Sequence, residues 1–202
     1  MESTLSDSIL RSRYGIVPTA FVFVMVSRLL RSKGVIEYCA AAERLPGAVC
    51  LLAGDVDESS KDSLRRSEVV AATRHARWLG RVDDVPSLLR AADCFVLFTR
   101  YREGIPRAVL EAMATGLPIV TTREGAGGMN VGAVIEGHDV SAVVAAMTGM
   151  MRMSPESRRN IGMANRRLAE TTLGVDRIAA QYSGLYRQLL ESSHTAAESV
   201  QA

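Results

Sequence analysis

Charge of one sign is what this sequence lacks most plainly: 24 Lys and Arg face 22 Asp and Glu, a formal net charge of +2. Proteins that bind nucleic acid by neutralising phosphates carry a basic excess or stripe, so no nucleic-acid partner is expected. Cysteine is scarce too. Cys39, Cys50 and Cys94 are odd in number, widely spaced and set in apolar segments, which fits buried thiols in a reducing compartment and neither a disulfide framework nor a zinc motif. His75, His138 and His194 have no metal-ligand spacing and read as exposed or turn residues. Long apolar runs are missing. The longest, residues 20–26, is too short for a transmembrane segment, and the first ten residues are polar and acidic where a signal peptide is basic and then apolar. The expected location is the cytoplasm, with attachment to the inner face of a membrane only through a partner. No Gly-x-Gly-x-x-Gly follows the first apolar segment, and neither a Walker loop nor a Gly-x-Ser-x-Gly elbow is present, so dehydrogenase, P-loop and serine-hydrolase readings lose their main support. Aromatics make up 5% of the chain, and its one tryptophan, Trp78, is expected in the core rather than under a nucleobase.

What is present is enough for a full core: 48% of the 202 residues are hydrophobic. Residues 20–26 form a β-rich run without alternation, the pattern of a strand covered on both faces. After it, periodicity predicts a helix over 35–44, strand 49–53, helix 60–73, strand 77–79 and helix 83–92. Strand 94–98 follows, then a helix with Pro106 at its first position and Gly116 stopping it, then strand 117–120. A short strand at 132–135 precedes helices over 140–151, 155–172 and 176–190. The methionines of the first of these are assigned to the core, and Arg158, Arg159, Arg166 and Arg167 to a solvated face. Alternating strand and helix without a long-period repeat predicts an α/β fold, a doubly wound parallel sheet. Residues 1–19 read as a linker with a short helix at 5–14, residues 20–175 as the domain, and the polar tail 191–202 as disordered.

The most informative stretch is residues 102–122. A helix N-terminus offers unpaired N–H groups and partial positive charge to a phosphate, and Gly104 just before it lets backbone approach closely. Glu103 in the preceding loop and Glu111 on the helix's second turn are then available to hydroxyls, each charge-assisted bond contributing about 1.5 to 3 kcal/mol. Diphosphate between polyols describes a nucleotide sugar. The bland alternative is a solvated Glu103 and a Glu111 paired with Arg107 four residues earlier. Arg28 and Lys33 follow the first strand, at the sheet edge where open α/β folds take ligands; alone, they read more readily as surface charges, and the second motif turns the balance toward function.

The series Glu103-Gly104-x-Pro106 to Leu110-Glu111-Ala112-Met113-Ala114-x-Gly116-x-Pro118 resembles the E-x7-E signature of retaining glycosyltransferases of family 4, in the donor-binding half of a two-domain GT-B fold. Ser27-Arg28-Leu29 with Lys33-Gly34 resembles that family's Gly-Arg-Leu and Lys-Gly pair, with Ser27 in place of the usual glycine. The resemblance implies Arg28 and Lys33 on the leaving diphosphate and Glu103 with the Gly104, Ile105 and Pro106 backbone on the sugar. It further implies Glu111 on the ribose, and Arg81 and Val82 beside the base. Glu103, Arg28 and Lys33 are thus the expected catalytic residues. It implies a UDP- or GDP-sugar donor and no cofactor or metal. Residues 123–139 depart from the family pattern: Met129 and Asn130 stand where an acid is usual. The chain is expected to begin at the interdomain hinge and to need a separate acceptor-domain protein, against which the last helix would dock. Two other readings stay open: a non-catalytic nucleotide-sugar-binding fragment or subunit of a split enzyme, and a sugar-nucleotide epimerase of the same fold.

Overall fold

Short apolar runs with no polar face can be satisfied only inside a sheet covered on both sides, and they are arranged so here. The computed structural model describes residues 6–101, 104–127 and 129–200, with the side chains of 191–200 excepted. Its parallel sheet contains β1 (Phe21–Val26), β2 (Ala48–Ala53), β3 (Arg77–Gly80), β4 (Cys94–Leu97), β5 (Ile119–Thr122) and β6 (Gly132–Ile135), in the order β3-β2-β1-β4-β5-β6. Parallel neighbours need crossovers. Helices supply them: α2 (Val35–Glu43), α3 (Arg66–Ala72), α4 (Val85–Arg90), α5 (Arg107–Thr115) and the short α6 (Arg123–Ala126). The order reverses between β1 and β4, which makes that junction the switch point of a doubly wound sheet.

Several boundaries differ from the sequence-based expectation, each for a local reason. The helix expected from residue 60 starts at Arg66, because the serines and aspartates before it are bonded into turns; the Glu68 carboxylate then accepts the Arg65 N–H at 2.8 Å and caps α3. Pro106 is the N-cap of α5, with extended ψ, and not its first helical residue. Pro118 has no N–H for the ladder, so β5 begins at Ile119 and runs on through Thr121 and Thr122. Their hydroxyls donate to the carbonyls of Leu97 and Thr99, at 2.6 and 2.7 Å, and so stay satisfied while buried. The unexpected α6 is capped by the Thr122 hydroxyl, which accepts the Gly125 N–H at 3.3 Å.

Helix α7 (Val140–Arg152) packs against β5, β6 and α2, α8 (Pro155–Thr171) packs on α5, and α9 (Val175–Val200) ends the chain. Val143, Met147 and Met150 are buried, as the methionine stripe required. Helix α9 passes the expected end at Leu190 and continues through the tail read as disordered, since residues 191–200 contain no Gly or Pro to stop it. The segment read as a linker is fastened to the domain through α1 (Asp7–Arg13). Leu10 is buried, Arg11 pairs with Asp93 at 2.7 Å, and Arg77 donates to the Tyr14 carbonyl at 2.9 Å. Arg158 is no solvated residue: it donates to the carbonyls of Met150, Met151 and Met153 at the end of α7, and its guanidinium lies 4.9 Å from the Phe21 ring centroid. Trp78 is half-buried beside the core, its indole N–H on the Gly54 carbonyl at 2.9 Å.

All three cysteines are free and buried, and burial pushes the Cys39 and Cys50 thiols up to about 12. Tyr38, fully buried, donates its hydroxyl toward the carbonyls of Phe23 and Leu51 at 3.2 and 3.1 Å. The buried Asn165 ties α8 to the sheet, its amide donating to the carbonyls of Leu117 and Val131, both at 2.8 Å. Asn165→Ala leaves the Leu117 carbonyl without this donor, at a cost of about 1 to 3 kcal/mol, while the Val131 carbonyl keeps the Ile119 N–H at 3.1 Å. Urea unfolding should therefore show a loss of about 1 to 3 kcal/mol, and an unchanged midpoint would mean the Asn165 bonds are replaceable.

Candidate functional site

A cleft of about 480 Å³ opens at the carboxyl edge of the sheet. It is lined by Val26, Ser27 and Arg28 after β1, residues 53–57 after β2, Arg81 and Val82 after β3, and Arg107, Ala108 and Glu111 of α5. The topology explains the gathering. Strands running one way end on one edge, and at the switch point neighbouring connections leave in opposite directions and cannot fill the space between them. A larger cleft, about 580 Å³, lies at the amino edge among Arg90, Arg158, Arg159 and Arg166. Arg90, Arg158 and Arg166 there are already paired with Asp7, backbone carbonyls and Glu170. The carboxyl-edge cleft is the better candidate.

Of the residues singled out from the sequence, Arg28, Arg81, Val82 and Glu111 line this cleft together. The Arg28 guanidinium reaches the Asp57 carboxylate at 3.0 Å and is 64% exposed. Arg81 is almost fully exposed, 3.5 Å from Asp83. Glu111 does pair with Arg107 at 3.0 Å, as the bland alternative held, yet Arg107 is 92% exposed and the carboxylate also faces the cleft. An exposed pair of this kind contributes only about 0.3 to 0.5 kcal/mol, so it does not commit Glu111 to a structural role. Glu103 lies outside the described residues.

Lys33 is buried in the 3-10 turn Arg31–Lys33 and is not among the residues lining the cleft. That turn sits at the switch point: the Arg100 N–H donates to the Ser32 carbonyl at 2.7 Å, and Gly34, at φ +75°, abuts Phe98 at the end of β4. Gly104 has φ +71° with open space around it, Ile105 packs against Gly127, and Pro106 is buried. These three form the entry to α5 and stand beside the cleft rather than in its lining.

Sequence reasoning missed Ser27's hydroxyl and the loop after β2. The Ser27 Oγ is buried at the cleft with no hydrogen-bond partner among the described residues. Asp57 carries a carboxylate held below its usual range, first by the Ser59 hydroxyl and then by Arg28. Its pairing with Arg28 is therefore complete above the ordinary carboxylate range and is lost as the pH falls through that lowered value. The signal was available, since Gly54 and Asp55 end β2 on the edge already chosen for Arg28. Among the described residues no three His, Cys, Asp or Glu side chains converge as a metal site, and no described helix is long and apolar enough to cross a membrane.

Residues 20–153 match the family described as Glycosyl transferases group 1. The chain belongs to this family. It is 29% identical over 162 residues to the UDP-Gal:alpha-D-GlcNAc-diphosphoundecaprenol alpha-1,3-galactosyltransferase of Escherichia coli, covering 75% of this chain and 41% of that protein. It is 26% identical over 191 residues to the N-acetyl-alpha-D-glucosaminyl L-malate synthase of Bacillus anthracis, covering 90% of this chain and 49% of that protein. The chain thus spans less than half the length of these two relatives. In fold it is similar to the sucrose-phosphate synthase of Thermosynechococcus elongatus, with a TM-score of 0.80, 23% identity, and 92% of this chain on 49% of that one. Anabaena HepE, solved with UDP-glucose, gives a TM-score of 0.79 at 23% identity, with 92% of this chain on 54% of that one. The group 1 fold here is accordingly the α/β, Rossmann-like unit of GT-B glycosyltransferases.

Gly34 is a tight point behind the cleft, where an added Cβ would meet the Cβ and carbonyl of Phe98 and φ is positive as well. Gly34→Ala should lower stability by at least about 2 kcal/mol, the sum of left-handed strain and overpacking. An unchanged urea midpoint would show that the turn can move off β4 freely.

Proposed function

We propose that residues 20–175 are the donor-binding domain of a retaining glycosyltransferase that takes a hexosyl group from a nucleoside diphosphate sugar, UDP- or GDP-linked. The observation that carries this reading is the single cleft shared by Arg28, Arg81, Val82 and Glu111, drawn from three separate segments. A guanidinium and a carboxylate at one switch-point crevice match the two ends of a nucleoside diphosphate: the cation meets phosphate charge, and the carboxylate accepts from vicinal ribose hydroxyls. Arg81 and Val82 lie along the same cleft, where their backbone is available to a base edge. Support for a sugar nucleotide comes from the E. coli relative, whose name includes UDP-Gal, and from HepE, solved with UDP-glucose.

In this reading Arg28 stabilises charge building on the departing diphosphate, which is electrostatic catalysis by a group set in place beforehand. Lys33 adds positive potential from the turn behind. Glu103 and the backbone from Gly104 to Pro106 hold the sugar, with the N-terminus of α5 directed at its phosphates. No cofactor or metal is assigned to the step. The acceptor is held by a second domain, in a longer chain or in a separate protein, because transfer needs a nucleophile about 3 to 3.5 Å from the anomeric carbon with water excluded. Helix α9 is the docking element for that domain, with Tyr182, Leu185, Tyr186 and Leu189 exposed along it. Residues 1–19 join the two domains. Three buried thiols suit a reducing cytoplasm, and any membrane attachment is through the acceptor-side partner.

Trp78, bonded to the Gly54 carbonyl that borders the cleft, is a built-in reporter for titrations. Glu111→Ala should weaken UDP about tenfold or more, the value of one charge-assisted hydrogen bond, and leave pyrophosphate affinity unchanged. Equal losses for the two ligands would make Glu111 structural. The 202-residue chain alone should bind UDP-sugar and transfer nothing until acceptor-side protein is added. Sustained transfer by the isolated chain would refute the two-domain requirement.

A further inference from the structure

Asp57 belongs to neither strand nor helix, yet all its polar groups are engaged. Its N–H donates to the Ser63 hydroxyl at 2.9 Å. Oδ1 accepts from both the N–H and the hydroxyl of Ser59, while Oδ2 accepts from Nη1 of Arg28 at 3.0 Å. The loop carrying Asp57 is itself clamped to the segment carrying Arg28. The Leu29 N–H donates to the Asp55 carbonyl at 3.1 Å, the Leu64 N–H to the Leu29 carbonyl at 2.9 Å, and the Arg31 N–H to the Asp62 carbonyl at 2.9 Å. The Asp62 carboxylate accepts from both the N–H and the hydroxyl of Ser32, and Leu30 forms an antiparallel bridge with Ser63. Two loops from neighbouring strand ends thus behave as one body, and Asp57 is the point where that body grips the Arg28 side chain.

We infer that Asp57 is a positioning residue for diphosphate binding, holding the Arg28 guanidinium over the cleft before the ligand arrives. This rests on the assignment of Arg28 to the diphosphate. Two effects of Asp57 oppose each other. An unrestrained arginine must give up rotamer freedom when it meets a phosphate, a loss amounting to a few-fold in affinity, and anchoring one Nη in advance removes much of it. Against that, the carboxylate adds negative charge near an anion, but at this solvent-open edge, beyond the first contact, water and salt screen most of the repulsion. Positioning wins. Five guanidinium N–H donors leave four for the ligand after one is given to Asp57.

The test is titration of the 202-residue chain with UDP and with uridine, for wild type, Asp57→Ala, Asp57→Asn, Arg28→Ala and the Asp57→Ala/Arg28→Ala pair. Asp57→Ala should weaken UDP about fivefold and leave uridine unchanged. Asp57→Asn, which keeps an acceptor oxygen without the charge, should restore most of the loss. In the double variant Asp57→Ala should add nothing to the loss caused by Arg28→Ala, because its effect passes through that side chain. Ser59→Ala, which frees the carboxylate while leaving its charge, should weaken UDP in the same direction. Tighter UDP binding by Asp57→Ala or Asp57→Asn would show that repulsion dominates and would overturn the inference, as would additive losses in the double variant. Urea midpoints of each variant separate misfolding from lost positioning, and equal loss of uridine and UDP would assign Asp57 to loop structure alone. If wild type binds no UDP, or Arg28→Ala binds it as well as wild type, the reading of the site fails with it. If Arg28→Ala weakens UDP and Asp57→Ala does not, only the role of Asp57 fails.

Discussion

Everything about this molecule depends on a sheet whose two faces are both buried. Strands such as Phe21–Val26, with no polar side to offer water, cannot fold into an antiparallel sheet with one wet face. They pair in parallel, and parallel pairing forces a helix between each pair. All strand ends of one kind then lie on one edge, and the reversal of order beside β1 leaves a crevice there. The cleft is thus a consequence of backbone hydrogen bonding, and the side chains that face it are the part free to vary with chemistry.

That division shows in how polar groups are treated. Away from the cleft Thr121, Thr122, Asn165 and Tyr38 each place a donor on a strand or loop carbonyl, with Glu37 Oε2 and His138 Nδ1 the exceptions among the described residues. At the cleft the pattern changes. Among the described residues Ser27 Oγ is buried without a hydrogen-bond partner, Arg28 is mostly exposed, and Glu111 pairs with a solvent-exposed arginine. Groups left short of partners at a crevice are what a binding surface requires, since a ligand gains little from donors and acceptors already committed.

The fold was legible because periodicity and punctuation report on burial. Unbroken apolar runs located the strands, and Gly116 with Pro118 located the end of α5. Where the sequence misled, side-chain hydrogen bonds had overridden propensity. Residues 60–65 look helical by composition, but serine and aspartate bonds hold them and the residues just before them in turns. The arginines of α8 look alike in the sequence, and only packing separates Arg158, which caps α7, from its solvated neighbours. The site was half legible. Residues on strand ends follow from topology, so Arg28, Arg81 and Val82 could be placed together. Gly54 and Asp55 marked the loop after β2 on the same edge, but the grip of Asp57 on Arg28 was not legible, because it depends on how that loop folds back on another.

The three cysteines have a chemical consequence of their own. A thiol pushed up to about 12 by burial, as at Cys39 and Cys50, stays protonated at neutral pH, and the thiolate is the species that reacts. Cys94, fully buried, is raised further still. The folded domain is therefore silent toward maleimides and oxidants while its core stays closed, so a cysteine introduced at the exposed Glu58, beside the loop that grips Arg28, would take up label alone. Reaction at the native thiols would then count opening of the core itself, giving one molecule two independent clocks, one for the surface and one for the interior.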